Sequence, residues 1–330
     1  MWLSCSWEVA VRYTRPMLAP ALISAISALL FSTTLAAQQQ SGTSPSNNQQ
    51  ARPTSNSRYF WYSRDGRREA AFIEPGAYAQ VELSPDNKLA VVERRNARLA
   101  GNDPNQRYDL WLANFSEMTF VRWTLSTDNP RDPVWAPDSR RIAYRVRSLE
   151  NRELREVVVG SSKESVLDSS KFIKYPDDWT RDGKWLLYHT DAPDTVALLP
   201  MSGHEGTRVI LDKPGGRNDM RVSPNGRWIA YGSDENGAWE IYLASVPSFD
   251  RARRISNGGG VQVRWRRDGK ELFYLTSDSK MLAQAIDPLA GKQIGSPRVL
   301  FQTAANPAPE VYLYSVTGDG KRFLIREGDQ

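Results

Sequence analysis

Residues able to do acid–base, nucleophilic or metal chemistry are sparse. His189 and His204 are the two histidines in 330 residues. His189 stands in Tyr-His-Thr-Asp-Ala-Pro-Asp194, after an apolar run, and His204 in Ser-Gly-His-Glu-Gly206. Both read as solvated loop histidines, since a shared metal would require the two loops to meet. Cys5 is the single cysteine, which excludes a disulfide framework and a cysteine-based zinc site. Loop oxygens suited to calcium occur at Asn102-Asp-Pro-Asn105 with Asp109, and at Asp234-Glu-Asn236. Neither group has EF-hand spacing, so both read as capping and turn residues. No cofactor is expected, with calcium on these oxygens as the alternative. The adjacent acids Asp177-Asp178 lie beside Trp179 and read as a rim feature. A glycoside-cleaving carboxylate pair would have to come from separate repeats and is not legible in one stretch. A Gly-x-Ser-x-Gly elbow, a Gly-x-Gly-x-x-Gly loop and a His-Arg-Asp loop are all absent.

The elements that must position any site are repeats. From Arg58 onward, short strand-like pieces alternate with turn signals. Aligned on the acid or amide of one recurrent turn, the anchors are Asp86, Asp138, Asp182, Asn225, Asp268 and Asp319, at intervals of 52, 44, 43, 43 and 51 residues. A period in the forties with several strands per unit predicts one four-stranded propeller blade per repeat. Three residues before each anchor stand Leu83, Trp135, Trp179, Val222, Trp265 and Val316, apolar as an innermost strand requires. Two after it stand Lys88, Arg140, Lys184, Arg227, Lys270 and Lys321, long cations suited to a solvated tip. Six after it stand Val92, Tyr144, Tyr188, Tyr231, Tyr274 and Ile325, expected in a buried second strand. Pro at 85, 137 and 224 presets φ, and Gly at 183, 226, 269 and 320 accepts positive φ. Asn87 and Ser139 replace that glycine, the serine at a cost of about 1 kcal/mol.

Third strands are read at 109–112, 157–159, 196–199, 240–243 and 281–283. Outer strands are read at 120–123, 165–167, 208–211, 253–255 and 298–301. The sixth repeat has only inner strands, near 311–316 and 322–326. The missing pair stands at the other end, in Arg58–Ser63 and Arg68–Ile73. The N-terminal strands (59–73) should therefore pair with the C-terminal ones (311–326) and close the ring, removing exposed edges. The fold class is all-β, a single six-bladed propeller over 58–330.

Residues 1–37 read as an export signal: Arg12 and Arg15, an apolar run from Met17 to Leu35, then Ala36 and Ala37. An uncleaved membrane anchor is the alternative. Residues 38–57 contain no large apolar side chain and read as a disordered linker. The propeller is thus expected outside the cytoplasm, periplasmic or secreted, touching a membrane only through a retained N-terminal segment. Net charge is +5, but 43 Lys and Arg are interspersed with 38 Asp and Glu. That describes a mixed solvated surface, not a nucleic-acid groove.

The repeated Ser-Pro-Asp-Gly-Lys/Arg phrase, followed by an apolar strand ending in Tyr, resembles the WD-repeat-like units of TolB-type six-bladed propellers. SPNGRWIAYGSDENGAWEIYL from Ser223, GGGVQVRWRRDGKELFYL from Gly258 and the opening Phe60–Gly66 carry it. They are most similar to the extracytoplasmic propeller of bacterial serine/threonine kinases, although no kinase domain precedes this one. Prolyl-oligopeptidase-type enzymes also carry propellers, but their nucleophile elbow is missing here. The resemblance implies a monomeric, non-catalytic interaction module that engages an envelope protein or peptide. A carbohydrate-active enzyme using acids at the funnel, and a sensor working with a separate kinase, are the alternatives.

Residues six before each anchor should line one channel mouth: Gln80, Asp132, Pro176, Asp219, Gln262 and Leu313, with Arg131, Asp178, Asn218 and Glu310 as neighbours. Convergent polar groups at a concave mouth are where a partner would bind. The expected site is therefore Gln80, Asp132, Asp178, Asp219, Gln262 and Glu310. The turn face, with its six cations nearly balanced by anchor acids, is expected to be merely solvated.

Overall fold

The computed structural model describes residues 56–96, 107–123, 129–147, 152–191, 194–202, 206–212, 216–250, 252–309 and 311–328. Among them the chain forms strands and turns without helix, in six four-stranded antiparallel sheets. The first sheet in sequence is β3 (Tyr78–Leu83), β4 (Leu89–Arg95), β5 (Tyr108–Asn114) and β6 (Thr119–Arg122). The second is β7 (Pro130–Trp135), β8 (Arg141–Arg147), β9 (Arg152–Val158) and β10 (Glu164–Ser169). The third is β11 (Lys174–Trp179), β12 (Trp185–Asp191), β13 (Asp194–Pro200) and β14 (Arg208–Asp212). The fourth is β15 (Arg217–Val222), β16 (Trp228–Ser233), β17 (Glu240–Ser245) and β18 (Arg253–Arg254). The fifth is β19 (Val261–Trp265), β20 (Glu271–Leu275), β21 (Lys280–Asp287) and β22 (Lys292–Gln302). The sixth combines β23 (Tyr314–Val316) and β24 (Arg322–Glu327) with β1 (Arg58–Ser63) and β2 (Arg68–Ala70), in the order β2-β1-β24-β23. This is the closed six-bladed propeller that the repeats predict.

Burial grades outward as the strand sequences dictate. Strand β16, WIAYGS, is buried throughout, whereas β2 and most of β22 are exposed. The core lies between neighbouring blades. Met220, Val222, Ile229 and Tyr231 of the fourth pack with Leu187, Val196 and Leu198 of the third. The tyrosine column at 144, 188, 231 and 274 is buried as expected.

All six anchors act alike: each side-chain oxygen accepts the backbone N–H two residues on, at 2.8–3.1 Å. Where the glycine is replaced, Asn87 and Ser139 do adopt positive φ, at 62° and 59°. Both side chains then tie neighbouring turns together. Asn87 Oδ1 accepts from Gly318 N at 3.1 Å, and Ser139 Oγ accepts from Asp86 N at 3.0 Å. These inter-blade bonds offset the backbone strain, which the repeat pattern alone does not reveal.

Ring closure runs from Arg58 paired with Glu327 to Ser63 paired with Arg322. Buried Glu327 accepts from the Tyr62 hydroxyl, from Arg68 Nη2 at 2.6 Å and from Ala304 N at 3.2 Å. Some boundaries differ from expectation. Strand β2 stops at Ala70, and Ile73 is buried from a loop instead. Strand β22 is far longer than 298–301 because β21 continues to Asp287 and carries it along. Ser57, assigned to the linker, is buried in a bridge to Gly76, with its hydroxyl donating to Gly76 O at 2.7 Å. Residues 1–55 lie outside the described residues.

Candidate functional site

The six innermost strands surround a central channel. In the first five blades the inner strand breaks register with its neighbour near the residue six before the anchor. Asp132, Asp219 and Gln262 take positive φ at these bulges, 53°, 51° and 60°. A bulge re-aims its side chain, and here that turns the predicted mouth residues into the wall. Gln262 donates to Ala308 O at 3.0 Å and accepts from Leu313 N at 2.8 Å, binding the fifth blade to the sixth. Gln80 donates to Pro133 O at 3.2 Å, binding the first to the second. Both are buried, as is Asp219. These three residues, expected to line the channel mouth, are thus buried side chains, Gln80 and Gln262 bonded to the next blade. Asp132 pairs with Arg145. Burial pushes its carboxyl up, but Arg145 and Arg131 outweigh that and hold it below the usual range. Glu310 lies outside the described residues.

In the column four before the anchor stand Glu82, Val134, Asp178, Arg221, Arg264 and Ser315; all but Val134, which packs into the core, face the channel toward the turns. The sequence reading missed it, although two adjacent repeats with Arg where the others carry acid, Val or Ser was a visible signal. Arg221 Nη2 donates to Glu82 Oε1 at 2.5 Å, and Arg264 Nη2 donates to the same oxygen at 3.0 Å. Glu82 belongs to the first blade and Arg221 to the fourth, so this contact crosses the channel axis. Asp219 completes the quartet, accepting from Arg221 Nε at 2.9 Å and Arg264 Nη1 at 2.7 Å. Two carboxylates thus balance two guanidiniums across the channel axis.

On the turn side of the quartet a cavity of about 190 Å³ opens, walled by all six blades. Of the predicted residues it brings in Asp178 alone, together with Glu82, Arg221 and Arg264 from the quartet. Asp178 accepts from Trp179 N and Val222 N, each at 2.8 Å. Burial pushes its carboxyl up to about 6, against the opposing pull of Arg221 and these two bonds. At the lip stand Pro85, Pro137, Arg181, Pro224, Arg267 and Gly318, one residue before each anchor.

Away from the cavity, His189 is not a loop residue. It lies in β12, with Nδ1 2.7 Å from Asp177 Oδ2 and its ring stacked on Tyr175 at 4.9 Å. Asp177 also accepts from Met220 N at 3.2 Å, so its acid is committed to holding two blades together. His204 and Asn102–Asn105 lie outside the described residues. Asp109 pairs with Arg122 at 2.8 Å, and Asn236 donates to Tyr242 Oη at 2.6 Å. Among the described residues no three His, Cys, Asp or Glu side chains converge as metal ligands.

A putative TolB from Agrobacterium tumefaciens matches this structure with a TM-score of 0.63 at 15% identity, covering 83% of this chain and 99% of that one. By fold, the chain is a TolB-like six-bladed β-propeller. TolB from Acinetobacter baumannii gives 0.56 at 18% identity, covering 74% of this chain and 65% of that one. In sequence, 88 residues are 36% identical to Tricorn protease homolog 1 of Streptomyces coelicolor, covering 26% of this chain and 8% of that protein. The chain therefore spans under a tenth of that relative. No family model matches the sequence.

Proposed function

We propose that this chain is an extracytoplasmic, non-catalytic binding propeller that engages a protein or peptide partner at the mouth of its central channel. The observation that carries the reading is the quartet of Glu82, Asp219, Arg221 and Arg264. It occupies the channel acids with arginines and leaves a cavity whose remaining carboxyl, Asp178, has no second free acid beside it. Such a wall suits recognition better than hydrolysis, which needs paired acids in distinct protonation states. The export-type N-terminal sequence and the TolB-like fold support the location. The mouth in this proposal is the turn face, where the cavity lined by Glu82, Asp178, Arg221 and Arg264 opens.

Site-specific photocrosslinking tests this in cells. A crosslinkable residue replaces Pro137 or Pro224 at the mouth, or Val166 on an outer strand as control. A discrete protein adduct from the mouth positions, absent from position 166, is the expected result. Adducts from position 166 alone, or none at either mouth position, would overturn the proposal. Turnover of a glycan panel that D178N abolishes would favour the enzymatic alternative.

A further inference from the structure

The lip of the turn-face cavity is unevenly charged. Across the four turn positions of the six repeats stand eight cations and five acids. Each acid has an oxygen on its own turn's backbone, and Asp138 and Asp268 also pair with Arg141 and Arg266. Of the cations only Lys184 comes within ion-pair range of an acid among the described residues, at 4.0 Å from Asp182, although Lys270 and Lys321 stand near enough to Asp268 and Asp319 to favour their ionised forms. Lys88, Arg140, Arg181, Arg227, Arg267, Lys270 and Lys321 form no ion pair among the described residues, and all are exposed. Two of them, Arg181 and Arg267, line the cavity itself. Arg267 lies across the lip against Gly318 of the next blade, where an added Cβ would meet its Nε at 2.7 Å. Glycine at 318 therefore leaves room for the guanidinium.

Resting on the binding reading above, we propose that the turn face is a receptor for an acidic peptide segment, with Arg181 and Arg267 taking a carboxylate at the lip. The quartet on the floor is neutral and Asp178 adds a further carboxyl there, so an anion gains most at lip height, where the excess positive charge lies. The lip favours peptide over nucleic acid. Its apolar surface is chiefly Pro85, Pro137 and Pro224; Trp135 and Trp179 are buried, and the half-buried Trp265 is tied down by its Nε1 bond to Arg221 O, which leaves no row of open rings for successive bases to stack upon. A cavity of about 190 Å³ is on the scale of a side chain. A side-chain carboxylate and a chain-terminal one share this chemistry, and the probes separate them.

The experiment uses the full chain and fluorescence anisotropy. The probes are labelled hexaglutamate with a free C-terminus, its C-terminal amide, hexaglutamine with a free C-terminus, and an oligo-dT of matched charge. Both hexaglutamates should bind, more weakly as salt rises, and more tightly than the oligo-dT. Binding of both free-ended peptides but not the amide would assign the terminal carboxylate instead, within the same receptor. R181E/R267E should weaken binding on the order of tenfold, whereas R254E/K292E, the same charge change on outer strands, should alter it less than about twofold. G318A, which displaces Arg267 while keeping every charge, should weaken it too. Intrinsic tryptophan emission checks that each variant is folded. The proposal is overturned if no glutamate peptide binds, if the oligo-dT binds more tightly, or if the two double variants behave alike. Crosslinks at Pro137 or Pro224 that persist in R181E/R267E would remove the acidic receptor and leave the binding propeller standing. Peptide binding without any mouth crosslink would do the reverse.

Discussion

Replacing Glu82 by Gln removes one negative charge from a quartet whose members come from the first, fourth and fifth blades. Its Oε1 receives both Arg221 and Arg264, and Asp219 alone then remains to balance two guanidiniums. Breaking a buried pair by removing one partner costs about 3–5 kcal/mol. Glu82 borders the cavity, so water discounts this toward about 3 kcal/mol. R221M creates the opposite imbalance, one guanidinium between two carboxylates, at a similar cost. The double variant E82Q/R221M restores neutrality with Arg264 and Asp219, and should lie within about 1–2 kcal/mol of the parent. The expected coupling is therefore at least about 2 kcal/mol. Urea unfolding followed by tryptophan emission, with m-values compared to confirm a common transition, measures it. Additive costs, with coupling below about 0.5 kcal/mol, would refute the claim that a charge bridge across the axis holds opposite blades.

Three further predictions follow from the wall and the turns. The folded chain holds a proton on Asp178 up to about pH 6, whereas the unfolded chain releases it near 3.8, so stability should fall as pH rises through that window. The fall is up to about 3 kcal/mol, and D178N should flatten it in a pH series of urea midpoints. Trp135 Nε1 donates to Glu82 O and Trp265 Nε1 to Arg221 O, both at 3.0 Å, while Trp179 Nε1 has no protein acceptor among the described residues. W135F and W265F should therefore each lose about 1 kcal/mol more than W179F in the same unfolding assay. S139A keeps the positive φ and loses the bond to Asp86 N, whereas S139G loses the bond and relieves the φ. S139A should be the less stable by about 1 kcal/mol in thermal unfolding.

The blades were legible because each repeat obeys local rules. An acid folding back on its turn, a cation at the tip and a tyrosine six residues later need nothing from other repeats. The site was less legible because it depends on relations between repeats. Alternation of side chains along a regular strand puts Gln80 and Gln262 in the channel, and an inserted bulge residue turns them into the wall. Arg221 and Arg264 look like any two cations until ring geometry sets them opposite Glu82. His189 was misplaced for a related reason: β12 runs on to Asp191, beyond the apolar run that marked its strand.

The closing strand pair also sets a timetable. Tyr62 and Glu327, which meet in the last blade, are 265 positions apart in the chain. At about 5–20 residues per second, synthesis separates them by tens of seconds. The first five blades are local in sequence and can form one after another as they appear. Arg58 to Ala70 must wait beside them, with strand edges unpaired, until the final hairpin is made. The propeller is therefore most exposed to misassociation at its first strand pair, and a chaperone that shields that pair early would act where the delay is longest.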